Sequence, residues 1–112
     1  MTGEQIDLVT TRARALGDVT RVRIVLALGR GKKAVGQLAD LTGTQQSTVS
    51  KHLQVLFHAG LVHRRRSAAT VYYWLASPPL LDWVRYLGAS RPRRLPRIAS
   101  DLVRKANPAA RR

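Results

Sequence analysis

The stretch VGQLADLTGTQQSTVSKHLQVLFHAG, residues 35–60, decides the fold. Val35, Leu38, Ala39 and Leu41 trace one face of a short helix that Gly43 ends. A tight turn follows. Val49, Leu53, Leu56 and Phe57 then recur at i, i+4, i+7 and i+8, one apolar stripe of a second helix, and Gly60 suits a left-handed stop. The opposite face carries Gln46, Ser47, Ser50, Lys51 and Gln54. Two helices joined by a tight turn, the second opening on small uncharged polar side chains, form the arrangement in which a helix meets base edges in a groove. Without the preceding helix and turn, that polar cluster would be only a solvated face.

Upstream, Ile6, Val9, Ala13 and Leu16 recur at steps of three and four, predicting a helix from Glu4 to about Leu16 that Gly17 ends. Asp18 is placed to cap the next helix, whose Val22, Ile24, Val25, Leu26 and Leu28 make it apolar nearly all round and therefore central. Downstream the period changes. LVHRRRS (61–67) and TVYYWLA (70–76) predict a β-hairpin. Its link, Ser67-Ala68-Ala69, lacks the Asn-Gly or Gly of tight turns, so a longer, mobile tip is expected. Tyr72, Tyr73 and Trp74 are assigned to the core. Ser77 followed by Pro78 and Pro79 opens a last helix with the stripe Leu80, Trp83, Val84 and Leu87. The predicted class is mainly α with a small β-hairpin: a winged helix-turn-helix of four helices, a hairpin and a fifth helix.

The chain has 112 residues, with 20 Lys plus Arg against 6 Asp plus Glu, a formal charge of +14. That excess calls for a polyanionic partner. It is uneven, at +3 over residues 1–50, +4 over 51–90 and +7 over 91–112. Residues 1–90 are therefore read as one DNA-binding and dimerisation domain. Residues 91–112, which hold three of the five prolines, are read as a basic, largely flexible tail in which a short helix between Arg97 and Ala106 is an option. The absence of Cys removes disulfides, thiolate metal sites and thiol catalysis. With few acids, no Gly-rich phosphate loop, and Ser50 and His52 on different helix faces, no enzyme is expected. No apolar run approaches a membrane span and no secretory signal opens the chain, so a cytoplasmic protein with no membrane partner is expected.

ALGDVTRVRIVLALG from Ala15, VGQLADLTG from Val35, QSTVSKHLQVLFHAGLV from Gln46 and VYYWL from Val71, in this order and spacing, resemble the ArsR/SmtB family of bacterial repressors. The resemblance runs from about Leu16 to Leu75. It implies a homodimer paired through the first and last helices and seated on a double-stranded operator. Amphipathic helices at both ends of so short a chain support the dimer independently, because one small core does not cover every stripe. Ile6, Val9, Leu16, Leu80, Trp83, Val84 and Leu87 are the expected interface. Departures from the family pattern remove its usual metal sites. Its Cys-Val-Cys element aligns with Ala34, Val35 and Gly36; Asp82 is followed two places on by Val84 where an Asp-x-His pair is usual; and no His lies beyond His63. No metal and no other cofactor is expected. The family's Ser at the start of the recognition helix is Gln45 here, leaving Thr44 as the better cap.

Gln45, Gln46, Ser47, Thr48, Ser50 and Gln54 are the candidate base readers, since amides and hydroxyls both donate and accept. Lys51 and His52 are placed near phosphate, with His52 open to a packing role instead. Arg64, Arg65 and Arg66 alternate along a strand, so two of the three are expected to reach the duplex. The competing functions are an architectural nucleic-acid binder indifferent to sequence and a zinc- or nickel-responsive regulator. The latter would take ligands from unusual positions such as Glu4, Asp7 and the histidines, or take its signal from a separate sensing partner protein.

Overall fold

A computed structural model describes residues 1–89; the tail read at 91–112, with its optional short helix, lies outside the described residues. The order is α1 (Gly3–Ala15), α2 (Val19–Leu28), β1 (Lys33–Ala34), α3 (Val35–Thr42), α4 (Gln46–His58), β2 (Val62–Ser67), β3 (Thr70–Leu75) and α5 (Pro79–Leu87). This is the winged helix-turn-helix expected, with one addition. The residues Lys33 and Ala34 pair with Tyr73 and Tyr72, so the hairpin becomes a three-stranded antiparallel sheet in the order β1-β3-β2. Two residues are too short for a period to register in the sequence.

Helix α2 supplies the middle of the core. Ile24 and Val25 are fully buried, as are Leu38 of α3, and Val49, Leu53 and Leu56 of α4. Only Tyr73 of the three aromatics assigned to the core is buried; Tyr72 and Trp74 stand half-buried on the other sheet face, because successive residues of a strand point to opposite sides.

Helix ends follow the chemistry of their residues. Asp18 caps α2, its carboxylate accepting from the Arg21 N–H at 3.1 Å. Helix α4 closes in a Schellman pair: Gly60 N–H donates to the Phe57 carbonyl and Leu61 N–H to the Leu56 carbonyl, both at 3.0 Å, with Gly60 at φ 75°. Thr44 is not the cap of α4. Gln45 holds that position without a side-chain bond, while Thr44 is drawn into the turn, its N–H donating to Ala39 and its hydroxyl to Thr42. The hairpin tip is also shorter than expected. Ser67 pairs directly with Thr70, leaving a two-residue turn in which Ala68 takes φ 55°. That conformation costs an L-residue roughly 1–2 kcal/mol, a strain the paired strands impose on a sequence without glycine there.

The Arg21 N–H bonded to its side chain holds the Asp18 carboxyl below the usual carboxylate range. A lowered value means stability that is present above the unfolded-state value and lost as pH falls through the folded one. Asp18→Asn keeps a capping oxygen and removes the charge. The wild-type chain is expected to be more stable than this variant at neutral pH, and the difference to vanish once the carboxyl is protonated, well below about pH 4. Urea unfolding across that range measures it; a difference that persisted unchanged in acid would remove the charge from the explanation.

Candidate nucleic-acid interface

Helix α4 packs its Val49–Leu53–Leu56 stripe on the core and turns the opposite side outward. Gln45, Gln46, Ser47, Lys51 and Gln54 are exposed, and Thr48 and Ser50 are half-buried beside them. The left-handed Gly43, at φ 64°, sets the turn that swings α4 away from α3.

His52 takes the other course. A guanidinium only donates, so the 3.1 Å contact between Arg21 Nη1 and His52 Nδ1 makes that ring nitrogen the acceptor and leaves the imidazole proton on Nε2. Asp18 Oδ1 lies 3.9 Å from the same nitrogen. Arg21 also donates from Nε to the Ala15 carbonyl and from Nη2 to the Arg14 carbonyl at 3.3 Å. One side chain thus ties the carboxyl end of α1 to the middle of α4. Reading the sequence did not single out Arg21, because its partners lie 6, 7 and 31 positions away and no local pattern marks them.

The three wing arginines separate by face. Arg64 lies opposite Tyr73 in the ladder, and its guanidinium carbon stands 3.9 Å from the centre of the Phe57 ring, a cation–π contact that fastens β2 to α4. Arg65 lies opposite Tyr72 on the outer face, and Arg66 is opposite Val71 next to the tip. All three are exposed.

At the far side, Ile6, Val9, Trp83 and Leu87 are exposed, between 46% and 60% of their surface, whereas Leu16, Leu80 and Val84 are already partly packed on the subunit's own core. Between α1 and α5 lies an apolar groove of about 350 Å³, lined among others by Val9, Ala13, Leu16, Leu80 and Trp83. Among the described residues no three of His, Asp and Glu come together as a metal site, so Glu4, Asp7 and the histidines do not assemble within one subunit. Among the described residues, too, no helix is long and apolar enough to cross a membrane.

A core of helices, a turn that swings one polar helix face outward and a cationic two-stranded wing define a winged helix-turn-helix domain of the DNA-binding class. The sequence model of the family described as "Bacterial regulatory protein, arsR family" matches residues 18–64. The chain is 38% identical over 72 residues to the HTH-type transcriptional regulator KmtR of Mycobacterium tuberculosis, covering 64% of this chain and 55% of that one. It is 37% identical over 89 residues to the HTH-type transcriptional repressor SmtB of the same organism, covering 76% and 66%. The chain therefore spans between half and two thirds of the length of these two relatives. Its structure is similar to the solution structure of a homodimeric winged helix-turn-helix DNA-binding domain from Mycobacterium bovis, described as a possible ArsR-family transcriptional regulator. The TM-score is 0.69 at 30% identity, covering 79% of this chain and 87% of that domain. The chain belongs to the ArsR family.

Proposed function

We propose that this protein is a sequence-specific transcriptional regulator, a repressor, that binds an inverted-repeat operator as a homodimer paired through α1 and α5. The observation that carries this reading is the outward face of α4, where the uncharged hydrogen-bonding side chains of Gln45, Gln46, Ser47 and Gln54 are exposed, with Thr48 and Ser50 half-buried beside them. Gln46 and Ser47, at the helix start, read bases in the major groove, and Lys51 contacts phosphate. In this reading Arg65 and Arg66 reach the duplex from the wing, and His52, through the proton on Nε2, serves the backbone contact while Arg21 fixes its ring. The two recognition helices of the dimer lie about 34–36 Å apart, one turn of the duplex. Metal is no part of this reading, since the family's thiolate and imidazole ligands are absent from the chain. The signal enters by another ligand or through a sensing partner protein. The protein acts in the cytoplasm.

Selection from random duplexes tests it. An inverted repeat with half-sites one helical turn apart is expected, and recovered sequences without one would leave only a cationic binder indifferent to sequence. Gln46→Ala should relax preference at one position of each half-site, by roughly 1–3 kcal/mol of discrimination per lost bidentate pair. Arg65→Ala should instead weaken all duplexes alike and lower the salt slope by about one unit. Equal losses on every sequence from both variants would refute base reading by α4.

A further inference from the structure

The outer face of the sheet has no part in the core. Tyr72 and Trp74 alternate with the buried Tyr73 along β3, so both rings stand on the solvent side. Their surroundings are cationic. Arg65 lies opposite Tyr72 in the ladder, and Lys32 Nζ stands 5.6 Å from the centre of the Tyr72 ring. His63 is tilted against Trp74, ring centres 5.9 Å apart. Lys32, Arg65, Arg66, Ser67, Tyr72 and Trp74 line an open cleft of about 400 Å³.

Three cations line this cleft without a carboxylate among the lining residues, so an anion entering it relieves their repulsion. The rings add a second requirement, a ligand with accessible flat faces. A duplex keeps its base faces inside its own stack, about 3.4 Å per step. Tyr72 and Trp74, two residues apart on an antiparallel strand, are spaced by about 6.8 Å, which matches an extended strand whose bases are unstacked. A free nucleotide needs enclosure over most of its surface, and a sheet face does not enclose it. We propose that the outer face of the wing sheet binds single-stranded nucleic acid, with bases stacked on Tyr72 and Trp74 and phosphates met by Lys32, Arg65 and Arg66. Aromatic rings set among cations on a sheet are the means by which unpaired strands are held without regard to sequence. This site lies apart from the α4 face but shares Arg65 and Arg66 with the proposed duplex contact, so the two nucleic acids compete for those arginines, and the rings of Tyr72 and Trp74 are what belongs to the single strand alone.

Fluorescence anisotropy of labelled oligothymidylate with the full chain at low salt is the test. The double variant Tyr72→Leu/Trp74→Leu keeps apolar cover and removes the rings. It should bind the single strand roughly ten-fold or more weakly, while its circular dichroism and its affinity for a duplex of equal length stay at wild-type values. A strand of the same length with abasic sites keeps the phosphates and lacks the bases. The wild-type protein should bind it weaker by a similar factor, a comparison that needs no substitution. Equal affinity for the abasic and thymidine strands would overturn the proposal and leave a charged surface only. Displacement of the strand by an equal nucleotide concentration of thymidine monophosphate would overturn it too, moving the site to free nucleotides.

Discussion

Trp83→Asp is expected to make the protein monomeric and to weaken operator binding by roughly 100-fold or more, because an unpaired charge in an apolar interface is strongly destabilising. Trp83 is 46% exposed in the single subunit and borders the α1–α5 groove with Val9. In a two-fold dimer each substitution is met twice, so the penalty is doubled. The subunit itself should survive, since Trp83 is no part of its buried core. Analytical ultracentrifugation gives the oligomeric state and circular dichroism the fold. A folded variant that remained dimeric and bound the operator as tightly as wild type would rule out pairing through this face. Leu87→Asp, at 60% exposure on the same helix, serves as an independent second case.

Leu53→Ala should act through the opposite side of the recognition element. Leu53 is fully buried between the helices, so the substitution removes its transfer energy and opens a cavity, costing about 2–5 kcal/mol. Against a whole-domain stability on the order of 5–15 kcal/mol, that is a large fraction. The exposed neighbour Gln54 is the control. Gln54→Ala should change stability by no more than about 0.5 kcal/mol, and any effect on operator affinity would then be a matter of contact and not of folding. Urea unfolding beside operator titration separates the two. A Leu53→Ala chain as stable as wild type would mean that α4 is not anchored by this stripe.

The division between Leu53 and Gln54 is legible in the amino-acid sequence alone. A helix period of 3.6 sorts residues onto faces whatever the rest of the chain does, so the spacing of Val49, Leu53 and Leu56 determined which side of α4 is buried and which side is polar. The same holds for Asp18 as a cap and Gly60 as a stop, because capping depends on a few bonds between near neighbours. Strand alternation separates Tyr73 from Tyr72 and Trp74, but the sequence does not say which set faces inward.

Contacts across long separations were decided by tertiary structure alone. Lys33 and Ala34 became a strand because β3 offers them a free edge about forty residues later. The tip at Ala68 tightened against its local preference because the ladder from Val62–Leu75 to Ser67–Thr70 holds the strands in register. Arg64 was drawn to Phe57, and Arg21 to His52 and the end of α1, by packing that brings distant segments together. Sequence spacing fixes the periodic faces of each element, since those depend on backbone geometry. Which face meets which neighbour depends on how all the elements pack at once, and only the folded chain settles that.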